Sequence, residues 1–186
     1  MEYFDIVDEN GIPTGKIISR DDAHREGILH RTAHVWIVRE KQDGFDILLQ
    51  KRSQNKDSFP GLFDTSSAGH VPAGDEPLES AIRELGEELG IAAAAGQLSY
   101  AGMFRVRYEM EFHGSLFRDN EIAWVYVYRE PVDEGKLTLQ ESEVEEVHWF
   151  DLEEVWEEIN RIGEHTGEQF CVPTGGLRVL RKYLGL

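Results

Sequence analysis

Apolar residues recur along this chain with two periods, and the switches between them mark out its elements. Alternating or continuous apolar runs predict strands at 3–7 (YFDIV), 33–39 (AHVWIVR), 46–52 (DILLQKR), 99–113, 121–129 and 144–150 (VEEVHWF). Turns are expected at Glu9-Asn10-Gly11, at Gln42-Asp43-Gly44, and at Arg118-Asp119-Asn120 just before the strand opened by Glu121. Residues 63–71 (FDTSSAGHV) read as extended. The clearest helix is 77–89, where Leu78, Ile82, Leu85 and Leu89 are spaced four, three and four apart. Pro77 suits its first turn, Asp75 or Glu76 its cap, and Gly90 its end. A short helix capped near Ser19 should run through His24, with further helices at 151–160 and 176–184. Strands and helices mix without regular alternation. The predicted class is therefore α+β, an α/β/α sandwich with a mixed β-sheet. Trp36 and Trp124 fall within apolar strands and are expected in the core.

Composition changes the picture chiefly through charge. The 186 residues carry a net charge of -17, enough chain for one domain. Such acidity opposes nucleic acid and anionic membranes, both of which need Lys and Arg. No apolar run approaches the roughly 20 residues needed to cross a bilayer, and the acidic MEYFDIVDEN start lacks secretory features, so a cytoplasmic protein is expected. A small phosphorylated substrate remains compatible, provided a cation held by carboxylates neutralises it. The lone Cys171 excludes an internal disulfide and any multi-cysteine zinc site; a small space-filling residue is the plainer reading.

The candidate chemistry sits between Gly69 and Ile91. On a helix, Glu84, Glu87 and Glu88 fall within about 100° of arc, with the apolar stripe roughly opposite. Three neighbouring carboxylates repel. Spacing alone leaves two readings open, a solvated acidic face and a cradle for Mg²⁺ or Mn²⁺. Arg83 is placed to pair with one of them.

This stretch resembles the Nudix box, G-x5-E-x7-R-E-U-x-E-E-x-G-U, through Gly69, Arg83, Glu84, Leu85, Glu87, Glu88, Gly90 and Ile91. The first glutamate of the pattern is Asp75 here. These matches would co-occur by chance on the order of once in ten thousand chains of this composition or less. The resemblance implies a Nudix-like fold, with residues 1–29 as an N-terminal extension packed on a domain at 30–186. It implies metal held by Glu84, Glu87 and Glu88 with the Gly69 carbonyl, Arg83 orienting a glutamate, and water attacking phosphorus in a nucleoside diphosphate derivative or nucleotide. Many relatives pair, so a homodimer is compatible.

A narrower similarity reaches from about residue 3 to 160, to the branch containing type I isopentenyl-diphosphate isomerase. It rests on Val7-Asp8-Glu9-Asn10-Gly11 through Arg20 and His24 to His30, on Asn120-Glu121-Ile122, and on Glu143-Val144 through Trp149-Phe150-Asp151-Leu152. It implies a histidine-rich second metal site, with His24, His30 and His70 as candidates, although packing roles stay open for each. The isomerase needs a cysteine just before its Gly-His, where this chain has Ala68. Ser67 beside it should point the other way on an extended strand. Hydrolysis is accordingly expected over isomerisation, with an isomerase-like enzyme and a non-catalytic nucleotide-binding module as alternatives.

Outside the box, Glu121 is the candidate general base. Lys51 and Arg52 end a strand, and Arg105 and Arg107 share a strand face, so all four are candidate substrate-binding residues. Phe63, Phe104 and Tyr108 are candidate base-stacking rings.

Overall fold

The computed structural model describes residues 2–163 and 168–186. It opens with a hairpin of β1 (Tyr3–Val7) and β2 (Pro13–Ser19), followed by α1 (Arg20–Glu26). Ser19 caps α1 by accepting from the Asp22 amide, and Gly27 closes it at φ 68°. The hairpin turn brings Gly11 against Trp124, where a Cβ would lie 2.0 Å from the indole ring. β2 was not expected; most of its residues are exposed and show no buried alternation.

β3 (His30–Lys41) and β4 (Gly44–Arg52) form the next hairpin. β5 (Phe63–Asp64) and β6 (Ser67–His70) lead into α2 (Pro77–Leu89). Then come β7 (Leu98–Phe112), β8 (Ser115–Tyr128), β9 (Val144–Asp151), α3 (Leu152–Ile162) and α4 (Thr174–Leu184). The main sheet runs β5-β4-β3-β8-β7, with β6 also on β3 and β9 on β4. β3 and β8 are parallel and their other neighbours antiparallel, so the sheet is mixed.

Helices cover both faces. Trp36, Val38, Leu49 and Val127 pack against Leu152, Val155, Leu177 and Leu180 of α3 and α4. On the other face Val35, Ile37 and Leu48 meet Ala81, Leu85 and Leu89 of α2. Each buried Val, Leu or Ile among them contributes about 1.5–3 kcal/mol. Trp36 is fully buried as expected, and Trp124 is partly buried beside Val7, Leu29 and Ile122.

Two local expectations are corrected. Residues Arg118-Asp119-Asn120 are not a turn but lie inside β8; the turn is His113-Gly114, with φ of 51° and 75°. Two positive-φ residues form the tight turn that suits strand twist. Glu76 occupies the α2 cap position but makes no side-chain cap bond. The loop before α2 is held instead by the first hairpin. Asp5 accepts from the Gly74 amide at 2.9 Å and pairs with Arg31 at 2.9 Å, and Arg31 donates to the Asp75 carbonyl. Asp5 and Arg31 are both buried.

Candidate active site

One cavity of about 290 Å³ gathers most of the chemistry. α2 supplies Glu84, Glu87 and Glu88, β6 supplies Ala68, Gly69 and His70, and β8 supplies Asp119 and Glu121. α1 contributes Arg20 and His24, and β3 contributes Thr32 and His34.

The three helix carboxylates share a face but not an environment. Glu87 is exposed and pairs with Arg83 at 3.3 Å. Glu84 is half-buried, pairs with Arg83 at 2.9 Å, and is pushed above the usual carboxylate range by burial. Glu88 is only 4% exposed. It accepts from the Ser67 hydroxyl at 2.7 Å, the Gln50 amide at 3.1 Å and the Ala68 N–H at 3.3 Å. Burial still outweighs these bonds and lifts its pKa to about 7. Gly69 is required by crowding: a Cβ there would lie 2.2 Å from the Glu84 carboxyl carbon. Arg83 also donates to the His70 carbonyl, tying the helix to β6.

A second cluster joins His24, His30, His70 and Glu121, whose ligand atoms all lie within 4.8 Å of one another. His24 Nδ1 faces the Arg20 carbonyl at 3.0 Å, and His30 Nδ1 the Ile28 carbonyl at 2.8 Å. A carbonyl only accepts, so these nitrogens carry the hydrogen, and in a neutral ring that leaves the Nε2 lone pair facing the cluster. His24 Nε2 lies 3.3 Å from His70 Nε2, and Glu121 Oε1 lies 3.4 Å from His70 Nε2 and 3.5 Å from His30 Nε2. Among the described residues the buried His30 Nε2 has no hydrogen-bond partner. Burial and the neighbouring imidazoles push His24 down to about 4; burial does the same for His70. Three converging Nε2 atoms beside a carboxylate, with Nδ1 of His24 and His30 fixed by carbonyls, suit a divalent cation. Phe4 of the hairpin stacks on His30 and His70, at 4.8 and 4.5 Å between ring centroids.

Several residues here escaped the sequence reading. Thr32 donates to Glu121 Oε2 at 3.1 Å and lies 3.4 Å from His34 Nε2. Asp119 is hydrogen-bonded to Tyr108 and raised by burial and by the charge of Glu121. Lys56 pairs with Glu143. Among the cationic candidates, Arg52 lines the cavity, bonded to Asp64 and Ser58. Lys51 does not; it pairs with Glu145 and Glu146 on the outer surface, because adjacent strand residues face opposite ways. Arg105 and Arg107 do share a face, but it is the exposed one, while Val106 and Tyr108 line the cavity. Of the candidate rings, Tyr108 lines the cavity, whereas Phe63 and Phe104 pack in the α3/α4 core. Ser67 points away from Ala68, as alternation requires, toward Glu88. Ala68 is the register partner of His34, and both line the cavity. Cys171 is buried and lies 3.5 Å from the Phe63 carbonyl.

Comparison with known proteins places this geometry. The NUDIX domain model matches residues 28–170. "Nudix hydrolase 3" of Arabidopsis thaliana is 40% identical over 82% of this chain, which spans only 20% of that protein. A Nudix hydrolase of Clostridium acetobutylicum is 35% identical over 95% of this chain and 84% of its own length. The isopentenyl-diphosphate Delta-isomerase of Pectobacterium atrosepticum is 34% identical over 65% of this chain and 62% of its own. Among solved structures, a Deinococcus radiodurans protein superposes with a TM-score of 0.66 at 20% identity, covering 90% of this chain and 94% of that one. The NUDIX domain of Shewanella oneidensis NrtR, complexed with ADP ribose, gives 0.55 at 12% identity, covering 90% and 99%. Among the described residues no helix is long and apolar enough to cross a membrane. Taken with the carboxylate helix and the loop that feeds it, these matches establish that the chain belongs to the Nudix family, among its hydrolases.

Proposed function

We propose that this chain is a divalent-metal-dependent hydrolase that cuts the diphosphate linkage of a nucleoside diphosphate derivative or nucleotide. The observation that carries the reading is that Glu84, Glu87 and Glu88 line the same cavity as the cations Arg20, Arg52 and Lys56. Carboxylates and cations in one cleft suit a polyanion bridged to metal. Glu84, Glu87 and Glu88 would hold Mg²⁺ or Mn²⁺, with the Gly69 carbonyl beside them, and His24, His30, His70 and Glu121 a second cation. Bound there, such an ion screens phosphate charge and lowers the pKa of water. Arg52 and Lys56 bind the diphosphate oxygens, and Arg83 keeps Glu84 and Glu87 oriented. In this reading Glu121 serves among the imidazoles, held by Thr32, so the proton of the attacking water passes to a carboxylate of α2. The ADP ribose bound by the NrtR domain supports a nucleotide-sized ligand.

The histidine cluster favours a second reading, an isopentenyl-diphosphate isomerase-like enzyme. Ala68 speaks against it, since a methyl group neither gives nor takes a proton. One experiment separates the two: Mg²⁺-dependent turnover over nucleoside di- and triphosphates, dinucleoside polyphosphates, nucleotide sugars and isopentenyl diphosphate, with Glu87→Gln as control. The proposal expects phosphate-bond cleavage that the variant loses. Double-bond migration in isopentenyl diphosphate without cleavage would overturn it, and ligand binding without turnover would leave a binding module.

A further inference from the structure

We propose that the chain forms a two-fold dimer through the outer edge of β7, pairing antiparallel with β7 of a second copy about an axis at Tyr108. Among the described residues β7 pairs only with β8 and ends the main sheet. A strand edge that pairs with no other strand is a template for another strand. The two-residue turn at His113-Gly114 sets which residues offer that edge. Phe112 and Ser115 close the turn, so Phe112, Met110, Tyr108, Val106 and Phe104 spend their backbone bonds on β8. Met103, Arg105, Arg107, Glu109 and Glu111 turn their N–H and C=O groups outward, and all five are exposed.

The charges on this face read the same way in both copies. With the axis at Tyr108, Arg107 lies opposite Glu109 of the second copy, and Arg105 opposite Glu111. All four are outward-bonding residues, so each opposed pair is also a hydrogen-bonded pair. Moving the axis to Val106 opposes Arg105 to Arg107, and moving it to Met110 opposes Glu109 to Glu111. Parallel pairing in register sets like on like throughout. Only the Tyr108 axis among these is complementary, and a two-fold contact requires self-complementarity. Arg105 already meets Glu9 and Asn120, and Glu109 meets Arg118 at 3.4 Å; among the described residues Arg107 and Glu111 have no ion-pair partner. α4 reaches β7 at Gly102 and Phe104, short of the paired span.

The test is sedimentation equilibrium of the whole chain from low micromolar to hundreds of micromolar, at low and high salt. The expected result is a concentration-dependent dimer weakened by salt. Arg107→Glu sets like charges together twice per dimer and should raise the dissociation constant about tenfold or more. Glu111→Lys should do the same against Arg105. The charge exchange Arg107→Glu with Glu109→Arg should restore the dimer. Circular dichroism melts check that each variant folds, as expected for exposed side chains. A wild type that stays monomeric throughout, or a dimer unmoved by Arg107→Glu, overturns the proposal.

Discussion

Glu88→Gln should make the metal-free protein more stable at pH 8 while leaving pH 4 nearly unchanged. The native carboxyl titrates at about 7, against 4.5 when unfolded. At roughly 1.36 kcal/mol per pH unit, that gap corresponds to ~3 kcal/mol. Below 4.5 both states hold the proton and nothing is lost. Between 4.5 and 7 the native state keeps a proton that the unfolded chain has released, so stability falls as pH rises. Above 7 the buried charge costs the full amount. Glutamine accepts from Ser67, Gln50 and the Ala68 N–H without ionising, so the variant lacks this slope. His24 and His70, depressed to about 4, tilt the curve the opposite way below 6.5, but they are present in both proteins and cancel in the difference. The assay is thermal and urea unfolding of both proteins in EDTA at pH 4, 5.5, 7 and 8. At about 2–4 °C per kcal/mol for a chain of this size, the variant should gain ~6–12 °C in melting temperature at pH 8 relative to pH 4. Adding Mg²⁺ at pH 8 should stabilise the wild type, by about 2.7 kcal/mol at a hundredfold excess over Kd, and the variant far less. A difference that is flat with pH, or that favours the wild type at pH 8 without metal, would refute the reasoning.

Three further outcomes follow from the same geometry. Gly69→Ala forces Glu84 aside, since its Cβ would sit 2.2 Å from the carboxyl carbon; metal-dependent kcat/KM should fall about 10²-fold, with the melting temperature little changed. His70→Gln removes one nitrogen from the histidine cluster, and calorimetry with Mn²⁺ should lose one binding event while the α2 event persists. Asp5→Ala strands the buried Arg31 charge and frees the Gly74 amide, so urea unfolding should show a loss of about 3–5 kcal/mol.

How much of this was legible in the sequence depended on the range of the signal. α2 was read to the residue because its stripe, Pro77 and Gly90 are all local, and Leu85 and Leu89 are fully buried as the period required. β2 was missed because a strand exposed on most positions leaves no alternation. The support for the box loop was missed because Asp5 reaches Gly74 across 69 positions, a pairing with no local trace. His24, His30 and His70 were nominated from resemblance; their meeting with Glu121 depends on β3 and β8 running parallel, with His30 opposite Glu121.

Asp119 illustrates why chemistry hides from pattern reading. A polar run at 118–120 resembles a turn, and that reading left Asp119 outside the site. Once the turn is set at His113-Gly114, alternation along β8 carries Phe117, Asp119 and Glu121 to the inner face and Asn120 to the outer. Two acids directed inward contradict the apolar-in pattern that folds the rest of the strand. Their burial is unfavourable unless something meets their charge: Thr32 donates to Glu121 and Tyr108 to Asp119, and a cation held among the imidazoles would meet the rest. A break in the pattern at the correct parity therefore signals a functional site rather than a loop, and the Arg105, Arg107, Glu109 and Glu111 series on the neighbouring strand, with the same parity facing outward, signals a surface.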